Sequence, residues 1–407
     1  MPVITMFSGT FCRKEAVVRE LIERTGYQPV TDDQVVERAA ALSGWTNKKL
    51  LAAFEAKTSV FNKFTHEKER SVAWLRLAVA ELLAEDGLLI EGFTGQLIPR
   101  EVSHVLRVCL IADVKSRVHR AAEVQGLSEK AAVHQIHVDD ERRSEWVYTL
   151  YKLRDPWAPG LYDIVVPTDK TSVEQISELV VENLRSEVIQ PTDASRRAAA
   201  DFVLSARVAV ALAKEGHNVE VGARDGAVTL TIHQNVLMLG RLQEELKEIA
   251  ENVVGVASVE TRIGKGFHRA DIYRKYDFDV PKLLLVDDER EFVQTLSERL
   301  LMRDVGSAVA YDGESALNMI DEEDPEVMIL DLKMPGIDGI EVLRQVKQNR
   351  PEIEVIILTG HGSEEDRKVC MQLGAFAYLQ KPVDIDVLSE TLKSAKEKMK
   401  QNKEAGS

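Results

Sequence analysis

Five polar residues in the last third of the chain each stand just beyond a short apolar run. Asp287 and Asp288 follow LLLV, Asp331 follows VMIL, Thr359 follows VIIL, and Lys381 follows the run ending in FAYLQ. Carboxylates gathered at one place repel one another, so such a set needs a cation. Oxygen ligands on a hard divalent ion, completed by water and a phosphoryl group, suit Mg²⁺. With that ion bound, one carboxylate can attack a phosphoryl donor and become an aspartyl phosphate. The transferred group needs its oxygens neutralised, and Mg²⁺, the Lys381 ammonium and the Thr359 hydroxyl can each take one.

The elements that would bring these residues together are legible in the alternation of short apolar runs and amphipathic stretches. Leu283–Val286, Gly306–Ala310, Val327–Leu330, Val355–Leu358 and Phe376–Leu379 read as strands. Arg290–Arg303, Gly313–Asp321, Gly339–Asn349, Glu364–Leu373 and Ile385–Lys396 read as helices. Five such alternations predict a doubly wound (βα)5 parallel sheet with its chemistry at the carboxyl ends of the strands.

These residues resemble the response-regulator receiver domain: LLLVDDE, then DLKMPGIDG from Asp331 to Gly339, ILTGHG around Thr359, and YLQKP around Lys381. The resemblance implies Asp331 as phosphoacceptor. It implies Asp288, Asp331 and the Lys333 backbone carbonyl as direct Mg²⁺ ligands, with Asp287 acting mainly through water. Thr359 and Lys381 would hold the phosphoryl group, Tyr378 would be the switch aromatic, and the peptide before Pro382 would be cis. A sensor histidine kinase or phosphotransfer protein would be the partner, and the receiver could pair into a homodimer through its fourth and fifth helices.

The beginning of the chain carries a second phosphate-type signal, weaker in its residues. Val3–Phe7 reads as a strand, Ser8-Gly9-Thr10 as a turn and Lys14–Arg24 as a helix, the arrangement in which helix N-terminal amides cradle phosphates. The segment SGTFCRKEAVV, however, lacks the GxxxxGK[ST] glycines and lysine, and Phe11 and Cys12 crowd the backbone approach. Leu88–Glu91, Val105–Ala112 and Tyr162–Val166 read as the later strands, and Val114–Gln125 as a helix ahead of DDERR at 139–143. Taken with ELIERTGYQPVTDDQVVERAA, LIEGFTG and LYDIVVPTDKTSVEQISELV, residues 1–190 resemble the cytidylate-kinase-like family. That resemblance implies a P-loop-type α/β fold. It would place phosphate or nucleotide contacts at Gly9, Thr10, Arg13 and Lys14, an acceptor contact at Asp32, and lid arginines at Arg142 and Arg143. The altered loop favours a platform that keeps the fold over a working kinase; the alternative is a nucleoside monophosphate kinase regulated by the receiver. His66, His104, His119, His134 and His137 stand at no metal-ligand spacing and read as surface or polar-core residues.

Between these blocks, Ala198–Glu215 reads as a helix and Val219–Gly222 and Ala227–Ile232 as a hairpin turning at Asp225-Gly226. Leu239–Asn252 reads as a second helix and Ala257–Ile263 as a last strand. VEVGARDGAVTLTI and ENVVGVASVETRI resemble a BON domain, which implies attachment to a protein or lipid partner; the plainer alternative is a small α+β spacer.

The 407 residues divide into blocks 1–190, 195–265 and 281–400, with breaks expected around Ser186–Arg197 and Gly264–Lys282. The expected fold class is therefore α/β multidomain. Fifty-two basic against 67 acidic side chains give a net charge of −15, which disfavours DNA as a partner. No apolar run approaches a membrane span and the first residues lack a signal-peptide pattern, so the expected location is cytoplasmic. Cys12, Cys109 and Cys370 form no framework for disulfides or metal.

Overall fold

The computed structural model describes residues 1–57, 62, 66–233, 239–264, 282–301, 303, 305–360 and 362–405. Most of the expected break at Gly264–Lys282, including Pro281, lies outside the described residues. The rest divides into two compact units, one holding 1–57 and 67–264 and the other 282–405.

In the first unit β1 (Val3–Ser8) leads into α1 (Lys14–Thr25), β2 (Gln28–Thr31), α2 (Asp32–Ser43), α3 (Asn47–Leu51) and α4 (Glu67–Leu82). Next come β3 (Leu88–Glu91), β4 (Val105–Ile111), α5 (Val114–Gln125), α6 (Glu129–Tyr151), β5 (Ile164–Pro167) and α7 (Val173–Leu184). The five strands form a parallel sheet in the order β2-β3-β1-β4-β5. Sequence patterning missed β2 because QPVT holds a proline, which cannot donate to a ladder. An edge strand tolerates it, and β2 is at the edge.

A small α+β element completes this unit: α8 (Asp193–Lys214), β6 (Glu220–Arg224), β7 (Ala227–Ile232), α9 (Leu239–Glu251) and β8 (Ser258–Ile263). β6 and β7 are antiparallel across Asp225-Gly226, both at positive φ (48° and 83°), the two-residue turn that matches strand twist. β8 joins β7 in parallel. The break expected around Ser186–Arg197 is ordered. Thr192 and Ser195 cap α8 reciprocally, and the helix then serves two cores. Phe202, Ala206 and Val210 pack with α4, while Leu204, Val208 and Leu212 pack under β7 and α9. Each set repeats every four residues and the two are offset by two, so they face opposite sides of one helix.

The second unit runs β9 (Leu283–Val286), α10 (Arg290–Leu301), β10 (Ser307–Ala310), α11 (Gly313–Glu323), β11 (Val327–Leu330) and α12 (Gly339–Asn349). It continues with β12 (Glu354–Thr359), α13 (Glu364–Gln372), β13 (Ala377–Gln380) and α14 (Ile385–Ala405). Its sheet is parallel in the order β10-β9-β11-β12-β13. Successive side chains of a strand point to opposite faces, and both faces are covered. Leu284 and Val286 enter the core shared with α11 and α12, Leu283 and Leu285 the core shared with α10 and α14. Among the described residues no helix is long and apolar enough to cross a membrane.

Candidate functional site

The carboxyl edge of the second sheet gathers Asp287 and Asp288 from β9, Asp331 from β11, Thr359 from β12 and Lys381 from just beyond β13. Oxygens of Asp287, Asp288 and Asp331 lie within 4.8 Å of one another. Asp287 and Asp331 are each 5% exposed, whereas Asp288 opens to solvent. The Lys381 ammonium sits 2.7 Å from Asp287, 2.9 Å from Glu289 and 3.6 Å from Asp331. Phe292 stands under it, 4.3 Å from ammonium to ring centre. Thr359 is buried, its carbonyl accepts from the Lys381 backbone N–H at 2.9 Å, and the Lys381–Pro382 peptide is cis. Lys333 is exposed in the loop after β11.

Two opposed effects set the charge balance. Burial pushes the Asp287 carboxyl above its ordinary range, against the hydrogen bond from Lys381, and nearby Asp331 adds to the rise. Burial also pulls the Lys381 ammonium down, but its bonds to Asp287 and Glu289 outweigh this and hold it above the usual lysine value. The pocket therefore keeps a firm positive charge beside carboxylates that burial and mutual repulsion strain. Three oxygen donors, one facing water, form the kind of set a hard divalent cation takes.

The carboxyl edge of the first sheet is arranged otherwise. The turn after β1 places Phe11 and Arg13 in left-handed backbone (φ 64° and 55°), where an L side chain crowds its own carbonyl. Its carbonyls already have cationic partners. Arg117 of α5 donates to Thr10 O at 2.8 Å, and Arg143 of α6 donates to Ser8 O at 2.7 Å and Asp139 O at 2.8 Å. Arg117 also grips Asp140 through two bonds of 2.7 and 2.8 Å, and the Thr10 hydroxyl donates to Asp139 at 2.7 Å. A side chain at Gly9 would strike Cys12 and Arg117. Beside this knot Phe7, Phe54, Phe93, Trp146, Trp157 and Tyr162 pack ring on ring.

Of the phosphate contacts expected in this region, Gly9, Thr10 and Arg143 gather at the turn, Arg142 lies 3.8 Å from the Asp139 carboxylate that Thr10 also bonds, and the others are dispersed. Arg142 pairs with Glu55 at 2.7 Å, Lys14 pairs with Glu91 at 2.8 Å, and Arg13 points to solvent. Asp32 accepts from the Phe93 and Thr94 N–H groups and the Thr94 hydroxyl at 2.8–2.9 Å, holding the turn after β3.

Residues 283–393 match the family described as response regulator receiver domain. The C-terminal unit is a response-regulator receiver domain. Residues 3–170 match the cytidylate kinase-like family. Over 101 residues, 25% of this chain, the sequence is 44% identical to the transcriptional regulatory protein CpxR of Escherichia coli K12 and of Klebsiella pneumoniae. That stretch spans 43% of those relatives' length. Among solved structures, a receiver domain protein from Clostridium thermocellum is 34% identical, with a TM-score of 0.29, covering 30% of this chain and 98% of that one. The receiver domain of NtrX from Brucella abortus is 30% identical, with a TM-score of 0.28, covering 28% of this chain and 98% of that one.

Several residues that shape the receiver pocket carried no role in the sequence reading. Glu289, two positions beyond Asp287, shares the Lys381 ammonium. Gly339 lies so close to the Asp331 carbonyl and the Leu332 backbone that no side chain fits there. Gly362 does the same for Tyr378: a methyl group at 362 would overlap the phenol oxygen and press on Thr359. The Tyr378 hydroxyl is buried and has no hydrogen-bond partner among the described residues. Glycines inside DLKMPGIDG and TGHG were the available signal, but a glycine spells out neither its φ nor its neighbour. In the first unit Arg117, Asp139 and Asp140 were likewise silent, because pairing between α5 and α6 leaves no mark at fixed spacing.

Proposed function

We propose that the chain is a two-component response regulator in which Asp331 accepts a phosphoryl group from a histidine kinase or phosphotransfer protein. The observation that carries this is the meeting of Asp287, Asp288, Asp331 and Lys381 within one pocket. Asp331 supplies the attacking oxygen. Its new O–P bond forms as the donor's P–N bond breaks, and the donor imidazole leaves with a proton from solvent. Lys381 neutralises one phosphoryl oxygen and the Thr359 hydroxyl receives another. Mg²⁺ suits the oxygen donors of Asp288, Asp331 and the Lys333 carbonyl, with Asp287 through water, and when bound supplies charge neutralisation at the transferred group. Incubating the full chain with Mg²⁺ and acetyl phosphate should add one hydroxylamine-labile phosphoryl group. No uptake, or uptake undiminished in Asp331→Asn, defeats the proposal.

The phosphoryl group would alter the surface around α13 and β13 through Thr359 and Tyr378, and the kinase-like and small α+β parts would receive the signal. For the kinase-like part we favour a platform over a nucleotide kinase. The support is that Arg117 and Arg143, the cations nearest the turn, already donate to its carbonyls, and Arg117 also to Asp140, so they are not free for a triphosphate. ATP-dependent phosphorylation of CMP, lost when Arg142 and Arg143 are replaced, would reverse that preference. The order helix, hairpin, helix, strand supports the BON-like reading of the middle part, with a protein or lipid surface as its partner; flotation of the full chain with liposomes tests the lipid arm.

A further inference from the structure

Outside both sheet edges, a cleft of about 710 Å³ opens between the end of α4 and the N-terminal half of α8, closed on one side by the Asp225-Gly226 turn. Its apolar lining comes from residues such as Leu83, Ala84, Ala199 and Val203. Its charges are unevenly used. The acids are largely engaged: Asp86 pairs with the Met1 ammonium, Glu85 lies 3.7 Å from Arg38, and Asp201 accepts from the Asp225 N–H at 2.8 Å. The Arg196 and Arg197 guanidinium groups line the same cleft, are exposed, and make no ion pair or hydrogen bond among the described residues.

A third group, on a different element, points to a ligand independently. His104 lines the cleft, is only 6% exposed, and its Nδ1 has no hydrogen-bond partner. Leaving a buried ring nitrogen unpaired costs on the order of 1–3 kcal/mol, so the cleft wall carries an unsatisfied polar group. Burial, with the Met1 ammonium and Arg196 close by, pushes this imidazole below its ordinary value, so the neutral ring offers one donor and one acceptor. Bound ligands of drug-like size fill cavities of about 300–1,000 Å³ that are mostly apolar with a few fixed polar groups.

We propose that this cleft binds a small anionic amphiphile from solution, its carboxylate or phosphate on Arg196 and Arg197 and its apolar body along α4 and α8, within reach of His104. Because α8 carries both the kinase-like core and the small α+β core, such a ligand would sit against the element that joins them.

The test uses the full chain with 8-anilinonaphthalene-1-sulfonate as the probe, displaced by decanoate, decyltrimethylammonium or inorganic phosphate. The expected result is one saturable site per chain from which decanoate displaces the dye and decyltrimethylammonium does not. Inorganic phosphate should displace it poorly, because it has no apolar body. The double variant R196E/R197E should bind about tenfold or more weakly. Ala200→Trp should weaken binding similarly by filling the cleft without touching its charge. Unchanged thermal unfolding of either variant excludes misfolding, and one folded variant suffices. Absence of a saturable site, displacement by the cation as readily as by the anion, or undiminished binding in a folded variant would overturn the proposal.

Discussion

The chain contains two parallel five-stranded sheets, and their carboxyl edges are put to opposite uses. In the receiver the edge is open: one carboxylate faces water, two are buried, and a single lysine is shared among three acids. In the kinase-like sheet the edge is closed. Arg117 and Arg143 bond the carbonyls of the turn after β1, and six aromatic rings fill the neighbouring space. The strand ends of an open parallel sheet are where ligands are generally received. Topology alone therefore does not make a site; what matters is whether the cations at the edge pair with carboxylates, one of which still faces water, or are locked onto the backbone of the turn.

The sharpest way to break this contrast is to remove the cation of the open edge. Lys381→Ala should slow phosphorylation of Asp331 by on the order of 100- to 1,000-fold, the usual consequence of deleting one preorganised charge at a reacting oxygen. Phosphoryl uptake from acetyl phosphate, followed by intact mass, reads this directly. A variant that is phosphorylated at the parent rate would show that the lysine only balances resting acids.

The next effect falls on the closed edge. Arg143→Ala strips a side-chain donor from the part-buried Ser8 and Asp139 carbonyls and should cost about 1–3 kcal/mol of the kinase-like unit's stability. Arg142→Ala removes half-exposed pairs with Glu55 at 2.7 Å and Asp139 at 3.8 Å and should cost less than about 1 kcal/mol. Denaturant unfolding followed by the fluorescence of the buried Trp146 separates the two. Equal, small losses would mean that Arg143 is not holding the turn closed.

A smaller effect lies at the edge of the open pocket. Gly362→Ala places a methyl where the Tyr378 phenol oxygen now lies, so the ring must turn outward. The ratio of buried to exposed ring should shift by about tenfold, seen as greater accessibility of Tyr378 to iodination before any phosphorylation. Accessibility identical to that of the parent would show that the ring clears position 362 without leaving its place.

How much of this was legible in the sequence differs between the two sheets for a physical reason. The receiver's pocket is built from residues that end strands, and strand ends are where an apolar run stops. Asp287, Asp331, Thr359 and Lys381 therefore stood out, each at the end of such a run. The closed edge is built across α5 and α6, by Arg117 meeting Asp140 and Arg143 reaching Ser8, contacts separated by 23 and 135 residues. No local period records them. The left-handed Phe11 and Arg13 were also hidden, since neither residue type announces positive φ. In α8 the sequence showed apolar residues on nearly every side, yet two cores served by one helix look the same in a linear pattern as one deeply buried helix.

The finest probe of the comparison is pH. Burial raises the Asp287 carboxyl above its unfolded value of 3.8, so the folded receiver binds that proton more tightly than the unfolded chain. A carboxyl of this kind favours folding only while protonated: the benefit is complete below its unfolded value and is lost as pH rises through the folded one. Lys381 is raised as well, so its contribution is complete below 10.5 and lost only as pH climbs through its folded value. Wherever Asp287 is ionised it therefore costs stability, while below 10.5 Lys381 still supports it. Asp287→Asn should make the receiver more stable than the parent at pH values where Asp287 is ionised, and the advantage should shrink on acidification and vanish once Asp287 is protonated. Amide hydrogen exchange across β9 and β11 at several pH values measures this within the intact chain. A gain that does not depend on pH would trace to packing, and the charges of the open edge would then be as self-satisfied as those of the closed one.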